Sequence, residues 1–227
     1  MTTRVKICCM ASVDEARMAL AHGASAIGLV SRMPSGPGPI DEKLIADIVA
    51  ALPPTVDTFL LTCETTADAI IAQQRRTRAR TLQLVDEVEK GVHAKLRAEL
   101  DGVRLVQVVH VVGESSLDEA ISVAPRVDAL LLDSGNPSLA VKELGGTGRR
   151  HDWNVSRRIV EASPVPVYLA GGLNASNVGE AIETVQPYGV DVCSGVRTNG
   201  RLDREKLGAF MDAVRETQKT TSGRKTV

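Results

Sequence analysis

The sequence predicts an α/β chain that folds as one (β/α)8 TIM barrel over residues 1–216, and three observations carry this prediction. Eight short β-branched or apolar runs alternate with eight amphipathic runs along the 227 residues, which is the element count of such a barrel. The run 129–132 is apolar at every position, as expected of a parallel strand that is buried on both faces. The adjacent glycine-rich turns follow the late strands, whereas an open doubly wound sheet carries its glycine-rich loop after the first strand.

Each element follows from local pattern. Strands are predicted where β-branched and apolar residues form short runs, at 5–9, 26–30, 57–62, 81–84, 104–109, 129–133, 166–170 and 190–193. Helices are predicted where apolar residues recur at helical spacing, at 12–22, 41–52, 66–74, 93–100, 116–123, 154–162, 174–184 and 203–216. Ser12 and Glu15 form a capping-box pattern at the first helix, and Pro53-Pro54 ends the second. A long glycine-containing segment, 134–152, follows the sixth strand.

The last residues, 217–227, are predicted to be a disordered tail. They contain three basic residues, no acidic residue and no apolar residue except Val227, so they have little to bury. Without them the barrel carries 24 basic and 28 acidic residues. The basic run of Arg75, Arg76, Arg78 and Arg80 is interpreted as a solvated helix end and loop.

Composition excludes several classes of protein. The net charge is −1 and only 2% of residues are aromatic, which argues against binding to nucleic acid through phosphate contacts or base stacking. No apolar run has the roughly 18 residues of a membrane helix, and the first ten residues lack the apolar stretch of a signal peptide. Four cysteines, two of them adjacent at Cys8 and Cys9, do not predict a disulfide framework in a chain of this length. The four histidines lie far apart in the sequence, so a zinc site is not predicted either. A reduced, cytoplasmic protein is expected.

The active site of a barrel lies at the carboxyl ends of its strands, and two residues there suit acid–base chemistry. Cys8 ends the first strand and can act as a thiolate base if its pKa is lowered; a buried small hydrophobe is the alternative role. Asp133 ends an apolar strand, where a carboxylate is costly unless it is paired or lies at the open end of the barrel. Its alternative role is to cap the loop turn that follows. Because side chains alternate along a strand, at most one of Cys8 and Cys9 is expected to face the mouth.

Glycines after the seventh and eighth strands predict a phosphate site. Gly171 and Gly172 end one strand before Asn174 opens a helix, and Ser194 and Gly195 end the next. Glycine lets backbone N–H groups approach a ligand closely, and a helix N-terminus favours an anion. Each motif alone is more often a tight turn than a binding site, but the two on neighbouring strands can bind one phosphate and together favour a phosphate site.

Several motifs together resemble those of the phosphoribosylanthranilate isomerase family of tryptophan biosynthesis. They occur in the family's order and span the barrel: V-K-I-C at 5–8, L-L-D at 131–133, G-G-T-G followed by D-W within 145–153, A-G-G-L-N followed by N-V within 170–178, and G-V-D-V-C-S-G-V at 189–196. Each motif alone is weak, and the set is specific.

The resemblance implies a barrel enzyme without cofactor or metal that converts an aminoaldose phosphate into an aminoketose phosphate by an Amadori rearrangement. It implies that Asp133 is the general acid and Cys8 the general base. Substrate and phosphate contacts are carried over to Gly146, Gly148, Gly171, Gly172, Asn174, Asp191, Ser194 and Gly195. The implied partner is a phosphorylated sugar, with neither nucleic acid nor membrane, and both a monomer and a homodimer suit the fold.

The departures from the family motifs lie on the side that would hold the aglycone. The family usually has S-P-R-x-I after the second strand, and its arginine is thought to hold the anthranilate carboxylate; here 35–40 read S-G-P-G-P-I. Arg32 is the nearby substitute, with Arg197 a second candidate. The family's Q-L-H-G appears as Q-L-V-D at 83–86, its glycine after the cysteine is Cys9, and the glutamate of S-S-G-V-E is Arg197.

Three functional hypotheses remain open on the sequence. The first is a divergent phosphoribosylanthranilate isomerase. The second is a paralogue that isomerises a related phosphosugar with Cys8 and Asp133 retained. The third is a non-catalytic barrel that binds a phosphate-bearing ligand, and the presence of both the acid and the base argues against it.

Overall fold

The computed structural model describes residues 2–146 and 148–223, and it confirms the predicted (β/α)8 barrel. Eight parallel strands close in chain order, with β1 paired to both β2 and β8. The strands are β1 (Arg4–Ile7), β2 (Ala26–Val30), β3 (Asp57–Thr62), β4 (Thr81–Leu84), β5 (Arg104–His110), β6 (Ala129–Asp133), β7 (Val167–Leu169) and β8 (Gly189–Val192).

A helix follows each strand of the barrel. The helices are α1 (Val13–Ala21), α2 (Glu42–Ala50), α3 (Ala67–Thr77), α4 (Val92–Glu99), α5 (Ser115–Val123), α6 (Trp153–Ala162), α7 (Val178–Val185) and α8 (Arg204–Gly223). A short antiparallel pair, β9 (Arg197–Thr198) and β10 (Arg201–Leu202), lies between β8 and α8. No helix among the described residues has the length and apolar character that crossing a membrane requires.

Helix starts follow from side-chain caps. Ser12, Asp41, Thr66 and Asp152 each accept a backbone N–H bond at the start of α1, α2, α3 and α6, which satisfies donors that the helix itself leaves open. The predicted capping box at α1 forms only in part. Ser12 accepts from the Glu15 N–H at 3.1 Å, but the Glu15 carboxylate accepts from Ala11 rather than from Ser12.

The core has two layers. The larger layer packs the outer face of the strands against the helices, and the smaller one fills the barrel interior with side chains such as Phe59, Val106 and Tyr168. The rings of Phe59 and Tyr168 meet edge to face at 5.9 Å. Two of the five aromatic residues, Phe59 and Tyr168, therefore pack inside the barrel, where large rigid rings fill the space between strands.

Two predicted boundaries differ most from those observed, the start of α7 and the end of α8. Helix α7 begins at Val178 rather than at Asn174, because Asn177 Oδ1 accepts from the Asn174 N–H at 2.9 Å and Asn174 Oδ1 accepts from the Ser176 N–H at 2.9 Å. Such local side-chain bonds compete with the helix. Helix α8 extends beyond the predicted start of the tail, since Thr217 donates to the Ala213 carbonyl and Gln218 donates to the Thr3 carbonyl. Residues 224–227 of the predicted tail lie outside the described residues.

Candidate active site

The carboxyl ends of the strands surround one cavity, and both predicted acid–base residues line it. Cys8 follows the last residue of β1, and its N–H donates to the Val192 carbonyl of β8 at 2.8 Å. Its sulfur lies over Gly28 of β2, where a Cβ would come within 2.6 Å of Sγ. The glycine in β2 therefore leaves the space that the thiol occupies.

The surroundings of Cys8 favour its thiolate. A hydrogen bond from the Cys9 thiol has the largest effect and lowers the pKa of Cys8; burial opposes it, and the Lys6 ammonium lowers the pKa further. A Cβ on Gly28 would lie 3.1 Å from Lys6 Nζ and 2.6 Å from the Cys8 sulfur, which places the ammonium and the thiol beside the same point of β2. A thiol with a lowered pKa can act as a base near neutral pH.

Lys6 itself is fully buried inside the barrel. Its Nζ pairs with Asp191 Oδ2 at 2.7 Å, and the two residues are direct neighbours in the register of β1 and β8. Burial disfavours the ammonium, but the Asp191 carboxylate and the two cysteines together outweigh burial and raise the pKa of Lys6. Lys6 therefore stays charged, and its charge acts on Cys8 with little screening.

Asp133 ends β6, three strands away from β1 around the barrel. Its Oδ1 accepts from the Ser134 N–H at 2.7 Å, and a Cβ on Gly145 would lie 2.5 Å from its Oδ2. Burial raises the pKa of Asp133, while the Ser134 N–H and His110 oppose the rise. A carboxyl whose pKa is raised can hold a proton for delivery to a substrate.

The expectation that only one of Cys8 and Cys9 faces the mouth is wrong, since both line the cavity. Strand β1 ends at Ile7, and Cys9 has a left-handed backbone with φ 63°. Strand alternation does not extend through such a residue. The Cys9 sulfur lies 3.7 Å from the Pro37 carbonyl, and hydrogen bonding to Cys193 and Cys8 raises the pKa of Cys9.

Three backbone loops meet on the β6–β8 side of the cavity. Gly148, Gly171, Gly172 and Ser194 line it, and all three glycines have positive φ. A Cβ on Gly172 would come within 2.9 Å of the Arg149 and Gly148 main chain, so only glycine fits there without movement. A Cβ on Gly148 would lie 3.8 Å from Ser194 Oγ. The sequence thus folds into an arrangement in which backbone from three loops lies beside one space.

Comparisons with known proteins agree with this geometry. Residues 60–213 match the family model described as N-(5'-phosphoribosyl)anthranilate (PRA) isomerase. The chain is 35% identical to the N-(5'-phosphoribosyl)anthranilate isomerase of Methanocella arvoryzae, over 95% of this chain and all of that one. It is 38% identical to that of Haloferax volcanii, over 94% and 93% of the two chains. The chain belongs to this family.

Solved structures of phosphoribosylanthranilate isomerases share the fold. The structure from Thermococcus kodakaraensis superposes with a TM-score of 0.78 at 29% identity, over 94% of this chain and 99% of that one. The structure from Pyrococcus furiosus superposes with a TM-score of 0.77 at 27% identity, over the same shares of the two chains. The barrel assignment therefore rests on both the family and the structures.

The remaining residues carried over from the isomerase motifs divide into two groups. Gly146 lines the cavity, where a Cβ would lie 2.5 Å from Pro37 Cδ, and Asp191 lines it as well, although one carboxylate oxygen pairs with Lys6. Asn174 and Gly195 lie outside the lining. Asn174 uses its side chain to cap its own turn, and Gly195 packs against the Leu173 backbone.

Arg32, the predicted substitute for the family's arginine, also lies outside the cavity lining and is exposed. Strand β2 ends at Val30, and the Ser31 hydroxyl turns inward to donate to the Leu61 carbonyl at 2.7 Å. Arg197, the second candidate, is buried behind β1, where it pairs with Glu15.

The β1–β4 side of the cavity is mostly apolar. Val30, Met33, Leu61 and Val85 form this wall, with Leu144 from the β6–α6 loop. Among the described residues that line the cavity, none is arginine or lysine. This side accommodates an apolar or aromatic group and offers no cation to a carboxylate.

Sequence reasoning missed the role of the Lys6–Asp191 pair, although a signal was present. A lysine and an aspartate each occupy the middle of an apolar strand, and the closure of a barrel brings the first and last strands together. Opposite charges inside two adjoining strands predict a buried pair, because an unpaired charge there is costly. Within the described parts of the chain, no three His, Cys, Asp or Glu side chains are grouped so that they could hold a metal ion.

Proposed function

We propose that this chain catalyses the Amadori rearrangement of N-(5-phosphoribosyl)anthranilate to the corresponding 1-deoxyribulose 5-phosphate, an isomerase step of tryptophan biosynthesis. The observation that carries the proposal is a single cavity lined by Cys8 and Asp133. Their pKa values are shifted in opposite directions, lowered for the thiol and raised for the carboxyl. Such a divergence assigns the base and the acid of a proton-transfer reaction.

Asp133 is the general acid in this proposal. Its proton goes to the ring oxygen of the aminoaldose, the C1–O bond breaks, and the nitrogen lone pair forms the C1=N bond of an open-chain iminium. Burial keeps a proton available on Asp133 at a pH where an exposed aspartate has lost it.

Cys8 is the general base. Its thiolate takes the C2 proton of the iminium, the C2–H electron pair forms a C1=C2 bond, and the C=N electrons return to nitrogen. The resulting enolamine tautomerises to the aminoketose, so the product is an isomer of the substrate. The Lys6 ammonium stabilises the thiolate before proton transfer.

The glycine loops are the proposed phosphate site. One side of the cavity is lined by Gly148, Gly171, Gly172 and Ser194. The three glycines have positive φ and expose their main chain without a Cβ group, and Ser194 offers a hydroxyl. Backbone groups in such loops bind phosphate oxygens. Binding of the remote phosphate orients C1 and C2 between Asp133 and Cys8.

One observation favours a second candidate, isomerisation of an aminoaldose phosphate with a different aglycone. The apolar wall of Met33, Leu61 and Val85 suits an aromatic ring, but the described lining provides no cation for the carboxylate of anthranilate. A missing charge-assisted bond costs a substrate about 1.5–3 kcal/mol of binding.

The deciding experiment compares two substrates with the purified chain. N-(5-phosphoribosyl)anthranilate is compared with the matched phosphoribosylaniline, which lacks the carboxylate. Turnover of the first, with growth of an isomerase-deficient tryptophan auxotroph, supports the tryptophan step. Turnover of the second alone supports the different aglycone, and binding of both without turnover supports a non-catalytic barrel.

A cytoplasmic location is inferred from the biosynthetic reaction and from the four cysteines, which are unpaired with one another in the structure. A homodimer stays a prediction. Monomers made from the dimeric Thermotoga maritima isomerase share the fold at 23% identity and a TM-score of 0.77, and gel filtration with light scattering measures the state of this chain.

A further inference from the structure

Arg197 is a buried cation directly behind the end of β1. It is 9% exposed, and its guanidinium donates to the carbonyls of both residues that follow the strand, Cys8 at 3.2 Å and Cys9. The same guanidinium donates to the Gly200 carbonyl at 3.0 Å. One planar group thus fixes two successive carbonyls of the segment that carries the candidate base.

Glu15 holds the guanidinium from its other side. Its carboxylate pairs with Arg197 at 3.2 Å and also accepts from the N–H groups of Ala11 and Leu202 at 3.1 and 2.9 Å. These contacts lower the pKa of Glu15 against the opposing effect of burial. The carboxylate therefore ties together α1, the β9–β10 pair and the arginine.

The Cys8–Cys9 segment needs such support. Cys9 has φ 63°, a conformation that a residue with a Cβ adopts at a cost in free energy. The residue before it, Cys8, has its sulfur beside the Lys6 ammonium, since a Cβ on Gly28 would lie 2.6 Å from Cys8 Sγ and 3.1 Å from Lys6 Nζ. A relaxed Cys9 backbone would move the Cys8 sulfur away from this ammonium.

We propose that Arg197, held by Glu15, is a positioning residue that fixes the Cys8–Cys9 backbone so that the Cys8 sulfur stays beside the Lys6 ammonium. The proposal rests on the proposed function, in which Cys8 is the base. It also joins two of the departures from the family motifs. Cys9 replaces the glycine that would adopt positive φ without strain, and Arg197 replaces the glutamate at the position that now contacts Cys9.

The test compares Arg197→Met and Arg197→Lys with wild type and with Thr198→Ala. Thr198 is the matched control because it belongs to the same β9–β10 pair, is exposed, and donates to Asp203 rather than to the cysteines. Two quantities are measured: kcat and KM for the aminoaldose phosphate that wild type turns over, and the pH dependence of Cys8 alkylation by iodoacetamide, with the site identified by mass spectrometry.

The charged and titratable groups that act on Cys8 are Cys9, Lys6 on β1 and Asp191 on β8, and the variants leave all three in place. Arg197→Met is expected to lower kcat at least about tenfold with KM changed less than about twofold, which corresponds to about 1.4 kcal/mol in the transition state alone. Its alkylation profile is expected to move to higher pH. Thr198→Ala is expected to match wild type in both.

Arg197→Lys separates the two-carbonyl contact from charge alone, since lysine keeps the cation but lacks the planar fork. Lysine is expected to restore less than half of the loss in log kcat, and full restoration overturns the proposal. A folded Arg197→Met variant with wild-type kcat and alkylation also overturns it. If circular dichroism shows that Arg197→Met is unfolded, Glu15→Gln replaces it; a shift of the same sign supports the proposal, and a wild-type profile overturns it.

Failure of the proposed function is distinguishable from failure of this inference. If the wild-type chain turns over no aminoaldose phosphate, the function fails, while the alkylation profile still reports the state of Cys8. A shifted profile in Arg197→Met then supports the positioning role without reference to turnover.

Discussion

The two sides of the barrel mouth contrast in how the sequence determines them. On the β6–β8 side, Gly172 has φ 64° and no room for a Cβ, and the motif sequence is kept. On the β1–β4 side, the family's arginine is absent and side chains such as Met33 and Val85 form the wall. Backbone that must approach a ligand admits few residues, whereas a wall of side chains can be rebuilt while the fold is retained.

The rebuilt side has contacts of its own. Asp86, which stands where the family motif has glycine, pairs with Lys142 of the β6–α6 loop at 2.6 Å. Ser35 of the β2–α2 loop donates to the Lys142 carbonyl at 2.6 Å. Loops from the two sides are thus joined across the mouth. The contrast predicts that changes to the acid–base pair are severe, that changes to the glycine loops weaken phosphate binding, and that changes elsewhere on the rebuilt side are mild.

The largest expected effect is that of Cys8→Ala, which removes the proposed base. The value of kcat should fall by about 10³–10⁴-fold, near the upper end of what general base catalysis contributes. Thermal unfolding should change little, because the substitution removes one sulfur atom beside an open cavity. Cys63→Ala is the matched control, since Cys63 lies outside the cavity lining and should keep wild-type activity. Equal rates for Cys8→Ala and wild type would remove the thiol from the mechanism.

Asp133→Asn should lower kcat by about 10²–10³-fold, because the amide keeps the shape of the side chain but cannot deliver a proton. In wild type, activity should fall as pH rises through the raised pKa of Asp133, since the acid loses its proton there. Steady-state rates measured over about two pH units on either side of neutral follow this limb. A falling limb that persists unchanged in Asp133→Asn contradicts the assignment.

Lys6→Met should reduce both stability and rate. It leaves Asp191 buried without its partner, which costs about 3–5 kcal/mol of unfolding free energy. The rising limb of the pH–rate profile should move to higher pH, because the lost ammonium no longer lowers the pKa of Cys8. Denaturant unfolding and the pH profile measure the two effects.

The double variant Lys6→Met with Asp191→Leu separates these effects. It removes the unpaired carboxylate and should recover most of the stability. Its rising limb should stay above that of wild type, because Lys6 affects the pKa of Cys8 more than Asp191 does. A wild-type limb in both variants would show that Lys6 is only structural.

The smallest expected effect is that of Gly172→Ala. The added Cβ meets main chain at 2.9 Å in a backbone of positive φ, so the loop must shift and KM should rise about tenfold, or about 1.4 kcal/mol. Inorganic phosphate should inhibit this variant less than wild type. Gly208→Ala is the control, because Gly208 lies on α8 with nothing within 4 Å of a Cβ. An unchanged inhibition constant for phosphate in Gly172→Ala would argue against a phosphate site at this loop.

Sequence patterns predicted the barrel and the placement of Cys8 and Asp133 at its mouth. The predicted bounds of β2, β3, β4 and β6 coincide with those observed, because apolar β-branched runs depend on local composition. The mouth was predictable because parallel strands bring their carboxyl ends to one edge.

Features that depend on contacts between distant segments were not predictable. The carbonyl of Cys9, a residue with positive φ, accepts from Arg197, 188 residues away along the chain. The late start of α7 depends on bonds between Asn174 and Asn177. Arg32 was expected at the substrate because of its type and position, but it is exposed and lies outside the cavity lining. The Lys6–Asp191 pair forms only because the closed barrel places β1 beside β8, which local sequence patterns do not show.

The most direct test of the proposed acid–base pair compares the purified wild-type chain with Cys8→Ala. The measurement is turnover of N-(5-phosphoribosyl)anthranilate by each protein. Conversion to the ketose phosphate by wild type, with at least about a 10³-fold lower kcat for Cys8→Ala, is the predicted result. Conversion by both proteins at similar rates would contradict the role of Cys8, and no conversion by wild type would contradict the proposed substrate.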